Sequence, residues 1–222
     1  MKELQFTKTT VRKRCVDNER AYAMLRRLDG DHACRVLDFD GTWLTMERII
    51  PGDTLRTVAE PEQRLGIFAE VIHAIHRPVE AGESYLDWLT AARRKAPANW
   101  RHRADRALSI GRAFFDAYPE RLLLHGDLHH DNILRHSDGS WVIIDPKAVV
   151  APAIFDLPRF LLNDQDRAVL IPRFAEVFGY PEDHIRAAFL MEVTLANLWS
   201  MEDGAAPDLT LQAWAESEIQ PT

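Results

Sequence analysis

Nowhere in this 222-residue chain do apolar residues run for the roughly 18 positions that a membrane-crossing helix needs. The amino terminus also lacks the basic-then-apolar layout of a secretory signal. Both absences point to a cytoplasmic protein with no membrane partner. Cysteine is scarce: there are two, Cys15 and Cys34, and no C-x-x-C pair. That excludes a disulfide framework and reads as idle thiols in a reducing compartment, with one disulfide as the alternative. There is no basic surplus, the net charge being −7 and the pI near 5.7. Phosphate backbones need a basic surface, so nucleic acid is excluded as the main partner. The runs Arg12-Lys13-Arg14 and Arg93-Arg94-Lys95 read as solvated faces. No repeat or low-complexity tract occurs, and no glycine precedes Gly30.

What is present is ordinary globular composition, 46% hydrophobic and 27% charged, in a length that holds one large domain or two small lobes. Leu4 to Thr10 reads as a short strand. Ala21, Met24, Leu25 and Leu28 recur at helical spacing, which predicts a helix over Asp17 to Leu28 with Asp17 as N-cap. Ala33 to Phe39 and Thr42 to Ile49 form a predicted hairpin about Asp40-Gly41. Pro51-Gly52 punctuates a change of character. Helices follow over Leu65 to Ile75, Tyr85 to Ala96 and Trp100 to Tyr118. Leu122 to Leu124 is a short buried strand, and Ile133 to Arg135 pairs with Trp141 to Ile144 across a turn. Two or three C-terminal helices are predicted, near Gln165 to Phe178, Glu182 to Met201 and Asp208 to Glu218. The order is a small mixed piece over 1–50 and a larger helical piece over 51–222, an α+β chain with the plan of a two-lobed kinase-like fold.

The most informative stretch is His125-Gly126-Asp127-Leu128-His129-His130-Asp131-Asn132, followed by Asp145 at the end of the apolar run Trp141 to Ile144. Phosphoryl transfer from ATP needs one carboxylate to orient a hydroxyl, and a second carboxylate plus an amide oxygen to hold Mg²⁺. Asp127 is the candidate base, with Asn132 and Asp145 the candidate metal ligands. His125 reads as a loop-orienting group rather than a reacting one. His129 and His130 read as loop residues or phosphate contacts. Lys147 reads either as a cation steadying phosphates or as a surface lysine. Asp156 reads as a helix N-cap or as a brace beneath the Asp127 loop.

These residues resemble the aminoglycoside phosphotransferase family, whose catalytic H-G-D matches His125-Gly126-Asp127. Ile144-Asp145-Pro146-Lys147 is similar to the I-D-P-K motif of its streptomycin 6-kinase and hydroxyurea phosphotransferase branch. Glu47-Arg48-Ile49-Ile50-Pro51-Gly52 resembles that branch's interlobe hinge. The resemblance implies a protein-kinase-like fold and transfer of the ATP γ-phosphate to a small-molecule hydroxyl, with Mg²⁺, by a monomer or homodimer. It also implies adenine contacts from Glu47, Arg48 and Ile49. The family's phosphate-binding lysine–glutamate pair falls on Lys8 and Glu19, with Lys13 competing for the role and a surface role for all three as the alternative. The front of the lobe departs from the family: the glycine-rich loop is missing, so the N-terminal lobe reads as truncated. That keeps a kinase-like binding module without turnover as the alternative. A zinc hydrolase built on His125, His129, His130 and Asp131 is the third reading. Glu192, Glu202 and Asp203 are expected to attract a cationic acceptor.

Overall fold

The computed structural model describes residues 3–14 and 18–219, so the Asp17 cap and Cys15 lie outside the described residues. In chain order the first elements are β1 (Glu3–Phe6), β2 (Thr10–Arg14), α1 (Asn18–Leu28), β3 (Val36–Phe39), β4 (Trp43–Glu47), β5 (Pro51–Thr54) and α2 (Pro61–Ile75). Next come β6 (Arg77–Pro78), α3 (Tyr85–Lys95), α4 (Arg101–Ala117), β7 (Leu122–Leu124), β8 (Ile133–His136), β9 (Trp141–Ile143) and β10 (Val149–Ala151). The chain closes with α5 (Leu157–Leu162), α6 (Arg167–Phe178), α7 (Glu182–Glu202) and α8 (Leu209–Ser217). They form two compact units, one of residues 1–77 and 123–148, the other of 78–122 and 149–222.

The first unit holds two antiparallel sheets, β1-β2-β4-β3 and β5-β8-β9. The expected strand Leu4 to Thr10 is broken in two. The Thr7 hydroxyl accepts from the Thr9 and Thr10 amides at 3.2 and 2.9 Å, which turns the chain. The predicted D-G hairpin forms: Asp40 Oδ1 accepts from the Thr42 and Trp43 amides at 2.9 and 2.7 Å, and Gly41 takes φ 85°. Helix α1 buries the stripe Ala21, Met24, Leu25 and Leu28, each such large apolar side chain contributing about 1.5–3 kcal/mol. It stops where Asp29 and Gly30 turn left-handed.

The sequence reading divides the chain after residue 50, whereas the first unit runs on to Arg77 and takes in Leu123–Ala148. The reason is backbone pairing that crosses the Pro51-Gly52 punctuation. β5 pairs with β8, Pro51 opposite His136 and Thr54 opposite Leu134. The Cys34 amide donates to the Ile143 carbonyl at 3.0 Å, and the Ile143 amide donates to the His32 carbonyl at 2.8 Å. Helix α2 packs on β9 with Leu65, Phe68, Val71, Ile72 and Ile75 buried.

The second unit is a helical body around α7, which packs against α3, α4, α5, α6 and α8. Helix α3 starts at a capping box, the Ser84 hydroxyl accepting from the Leu86 amide and Asp87 from the Ser84 amide. Glu192 on α7 is fully buried: Arg159 Nη2 lies 2.9 Å from its Oε1 and the Tyr85 hydroxyl donates to Oε2. Burial and this carboxylate raise the Tyr85 pKa well above the usual phenol value. Glu192 is therefore a core group, not the expected surface attractor, and Glu202 is paired with Lys95.

Candidate active site

The chemistry-bearing residues of the motifs all fall in the first unit. Strand β2 alternates. Arg12 stacks over Trp43 at 5.0 Å and Arg14 pairs with Glu3, while Val11 and Lys13 line a cavity on the opposite face. Lys13 is 6% exposed, and a buried lysine needs a partner. Its ammonium is ion-paired with Asp145 Oδ1. Asp145 follows β9 with φ 57°, a left-handed conformation that a non-glycine residue adopts only under local constraint.

Asp127 is held by its own loop. Gly126 takes φ 77°, which permits the reversal before it. The Asp127 amide donates to His125 Nδ1 at 3.1 Å, and His125 Nε2 donates to the Ile144 carbonyl at 2.9 Å. His125 is buried and its tautomer is fixed by these two bonds. The imidazole thus ties the Asp127 loop to the residue before Asp145. The Lys147 amide returns to the His125 carbonyl at 2.7 Å, and Lys147 Nζ stands 4.0 Å from Asp127 Oδ2. Asn132 completes the set: its Nδ2 donates to the Asp127 carbonyl at 2.8 Å and lies 3.2 Å from His129 Nε2. Its backbone carbonyl accepts from the Ile144 amide at 3.0 Å. With the nitrogen end so engaged, the Oδ1 of Asn132 is turned away from those acceptors. Arg56 grips Asp131 with two bonds of 3.0 and 2.7 Å, which hold that carboxyl below its ordinary pKa.

The cavity has a volume of about 570 Å³ and is walled by apolar side chains including Val11, Ala21, Leu25, Leu44, Met46 and Leu134. Its polar lining includes Lys13 and Asp145, and the segment Glu47–Gly52 also borders it. There Arg48 is fastened to the β1–β2 turn, its amide to the Thr9 carbonyl at 2.8 Å and its guanidinium to the Thr7 carbonyl at 2.8 Å. The Glu47 carboxylate takes the Arg35 amide at 2.6 Å, and the Glu47 amide donates to the Arg35 carbonyl at 2.9 Å. Cys34 lines the wall, and burial pushes its thiol up to about 12.

Lys8 and Glu19 are not brought together. Lys8 lies exposed in the β1–β2 turn and borders the same cavity as Lys13. Glu19 is exposed in the first turn of α1. The signal for Lys13 was in the sequence: in Thr10–Arg14 it shares its side of the strand with Val11, which puts a lysine on an apolar face. The zinc reading loses its basis, since among the described residues no three His, Cys, Asp or Glu side chains gather to hold a metal. The carboxylate of Asp145 and the amide oxygen of Asn132 are instead hard oxygen donors of the kind that suit Mg²⁺.

The model of the family described as aminoglycoside/hydroxyurea antibiotic resistance kinase matches residues 6–179. The chain is 30% identical to streptomycin 3''-kinase of Klebsiella pneumoniae, over 91% of this chain and 85% of that one. It is also 30% identical to streptomycin 6-kinase of Streptomyces griseus, over 88% of this chain and 69% of that one. Among solved structures, a thermostable mutant of aminoglycoside phosphotransferase APH(4)-Ia in ternary complex with AMP-PNP and hygromycin B shares the fold at a TM-score of 0.61. It has 16% identity and covers 98% of this chain and 91% of that chain. Among the described residues no helix is long and apolar enough to cross a membrane.

Proposed function

Since the chain belongs to the aminoglycoside/hydroxyurea antibiotic resistance kinase family and is a small-molecule kinase with a protein-kinase-like fold, we propose that it moves the γ-phosphate of ATP to a hydroxyl of a small cationic antibiotic of the streptomycin type. The observation that carries this reading is the Lys13–Asp145 pair lining an apolar cavity, with Asp127 and Asn132 bonded into the same loop system. An apolar slot suits a flat purine, and a lysine beside a carboxylate suits its phosphates. The Glu47 carbonyl and the Ile49 amide are the proposed partners of the adenine edge. The Arg48 amide already serves the Thr9 carbonyl.

In this reading Lys13 exchanges Asp145 for the α- and β-phosphates. Asp145 and Asn132 would hold Mg²⁺, which when bound offsets phosphate charge. Asp127 accepts the proton of the acceptor hydroxyl as that oxygen bonds to phosphorus. His125 keeps Asp127 and Asp145 in register and touches neither reactant. The net charge of −7 favours a polycationic acceptor by long-range attraction.

The test is ATP-dependent phosphorylation of streptomycin, other aminocyclitols and hydroxyurea, read by mass spectrometry of the acceptor. Wild type is expected to give a phosphorylated product. Asp127→Ala is expected to lose at least about 1,000-fold in kcat while still binding Mg-ATP. A protein that binds Mg-ATP and phosphorylates none of these acceptors would overturn the transfer reaction.

A further inference from the structure

Two carboxylates in the first unit each have a lysine, but the two pairs are built differently. Lys13 and Asp145 form a close pair with side chains 7% and 22% exposed. Lys147 and Asp127 stand at the 4.0 Å limit of contact, with side chains 32% and 25% exposed. A long, partly wetted pair is weakly held and readily traded for a stronger partner. The backbone around Lys147 is the opposite of loose. Asp145 and Ala148 both take left-handed conformations, φ 57° and 56°. The Lys147 amide is fixed to the His125 carbonyl at 2.7 Å, and the same imidazole carries the Asp127 amide. The fold thus commits two left-handed residues and a buried histidine to the backbone that carries the Lys147 ammonium beside the base carboxylate.

Resting on the kinase reading above, we propose that Lys147 is a catalytic residue: it leaves Asp127 for the γ-phosphoryl group and accompanies that group during transfer. The acceptor oxygen–phosphorus bond forms as the bond from phosphorus to the β,γ-bridging oxygen breaks. The electron pair leaves with ADP, and the hydroxyl proton passes to Asp127. Lys147 donates hydrogen bonds to the equatorial oxygens throughout, gaining strength as charge accumulates there. The exchange also releases Asp127 from its cation at the moment a proton must be taken. Lys13, held by the closer and more buried pair, serves the phosphates that stay behind.

Calorimetry on the full chain separates these roles, with AMP-PNP and ADP as probes in the presence of Mg²⁺. Lys147→Ala is expected to weaken AMP-PNP while leaving ADP binding unchanged. Asp127→Asn is expected to tighten AMP-PNP by about threefold or more when Lys147 is present, and by clearly less in a Lys147→Ala background. Lys147→Ala is expected to lower kcat about 100-fold, and Lys147→Arg to retain part of the rate. Equal effects of Asp127→Asn in the two backgrounds, or unchanged kcat in a folded Lys147→Ala protein, would overturn the assignment. Failure of wild type to phosphorylate any acceptor would instead remove the underlying reaction, so the two failures are distinct.

Discussion

At the scale of single residues, the site is organised by which side of a strand a lysine occupies. The H-G-D and Asn132 spacing named Asp127, Asn132 and Asp145 because three unlike side chains at set intervals seldom serve a loop alone. Lys8 and Lys13 could not be separated by spacing. They are told apart by alternation along β2 and by the turn at Thr7, which depends on side-chain bonds to the Thr9 and Thr10 amides. The buried lysine carries a clear expectation. Lys13→Met removes the partner of Asp145 and the cation proposed for the phosphates, so it should raise the Mg-ATP Kd at least about tenfold. Lys8→Met should change it less than about twofold, in keeping with its exposed place in the β1–β2 turn. Calorimetric titration of both variants checks the pair. A larger effect from Lys8→Met would return the phosphate role to the turn.

At the scale of elements, most were legible because their signals are local. The stripe of α1, the D-G hairpin and the apolar positions of α2 each declare themselves within fifteen residues or fewer. The course of the chain past Pro51 was not legible. Pro51-Gly52 reads as a boundary, and it is also the start of β5, which pairs with β8 more than eighty residues later. Long-range pairing leaves no trace in local composition. Gly52 shows why this turn has its sequence. Its φ is 76°, and a Cβ there would meet the Ile49 carbonyl oxygen at 2.8 Å. Gly52→Ala should therefore destabilise the protein by about 1–3 kcal/mol and weaken nucleotide binding by displacing Ile49. Urea unfolding and calorimetry measure the two effects. A neutral substitution would show that the turn relaxes without involving Ile49.

At the scale of the whole molecule, each unit has its own core, and the helical one contains the larger electrostatic risk. Arg159, Glu192 and Tyr85 form a buried cluster with Arg159 also stacked over Trp199 at 5.5 Å. Glu192 was visible in the sequence only as an acid in a predicted helix, since the partners that bury it come from α5 and α3. Removing one member of a buried pair strands the other charge, so Arg159→Met should cost about 3–5 kcal/mol. The double variant Arg159→Met/Glu192→Met should recover much of that loss. Thermal and urea denaturation of the two proteins decide the matter. Equal stabilities of single variant and wild type would show that the pair contributes nothing.

The first unit is interrupted in sequence, with its residues 1–77 and 123–148 on either side of a long helical insertion. During translation the sheet bearing Lys13 therefore emerges well before the strand that delivers Asp145. Until the ribosome has passed β9, the apolar face of α2 lacks the strand it packs on. The sheet β1-β2-β4-β3 can pair as it emerges, whereas β5 and α2 wait through the synthesis of α3 and α4 for β8 and β9, which makes them a stretch in need of shelter by holdase chaperones.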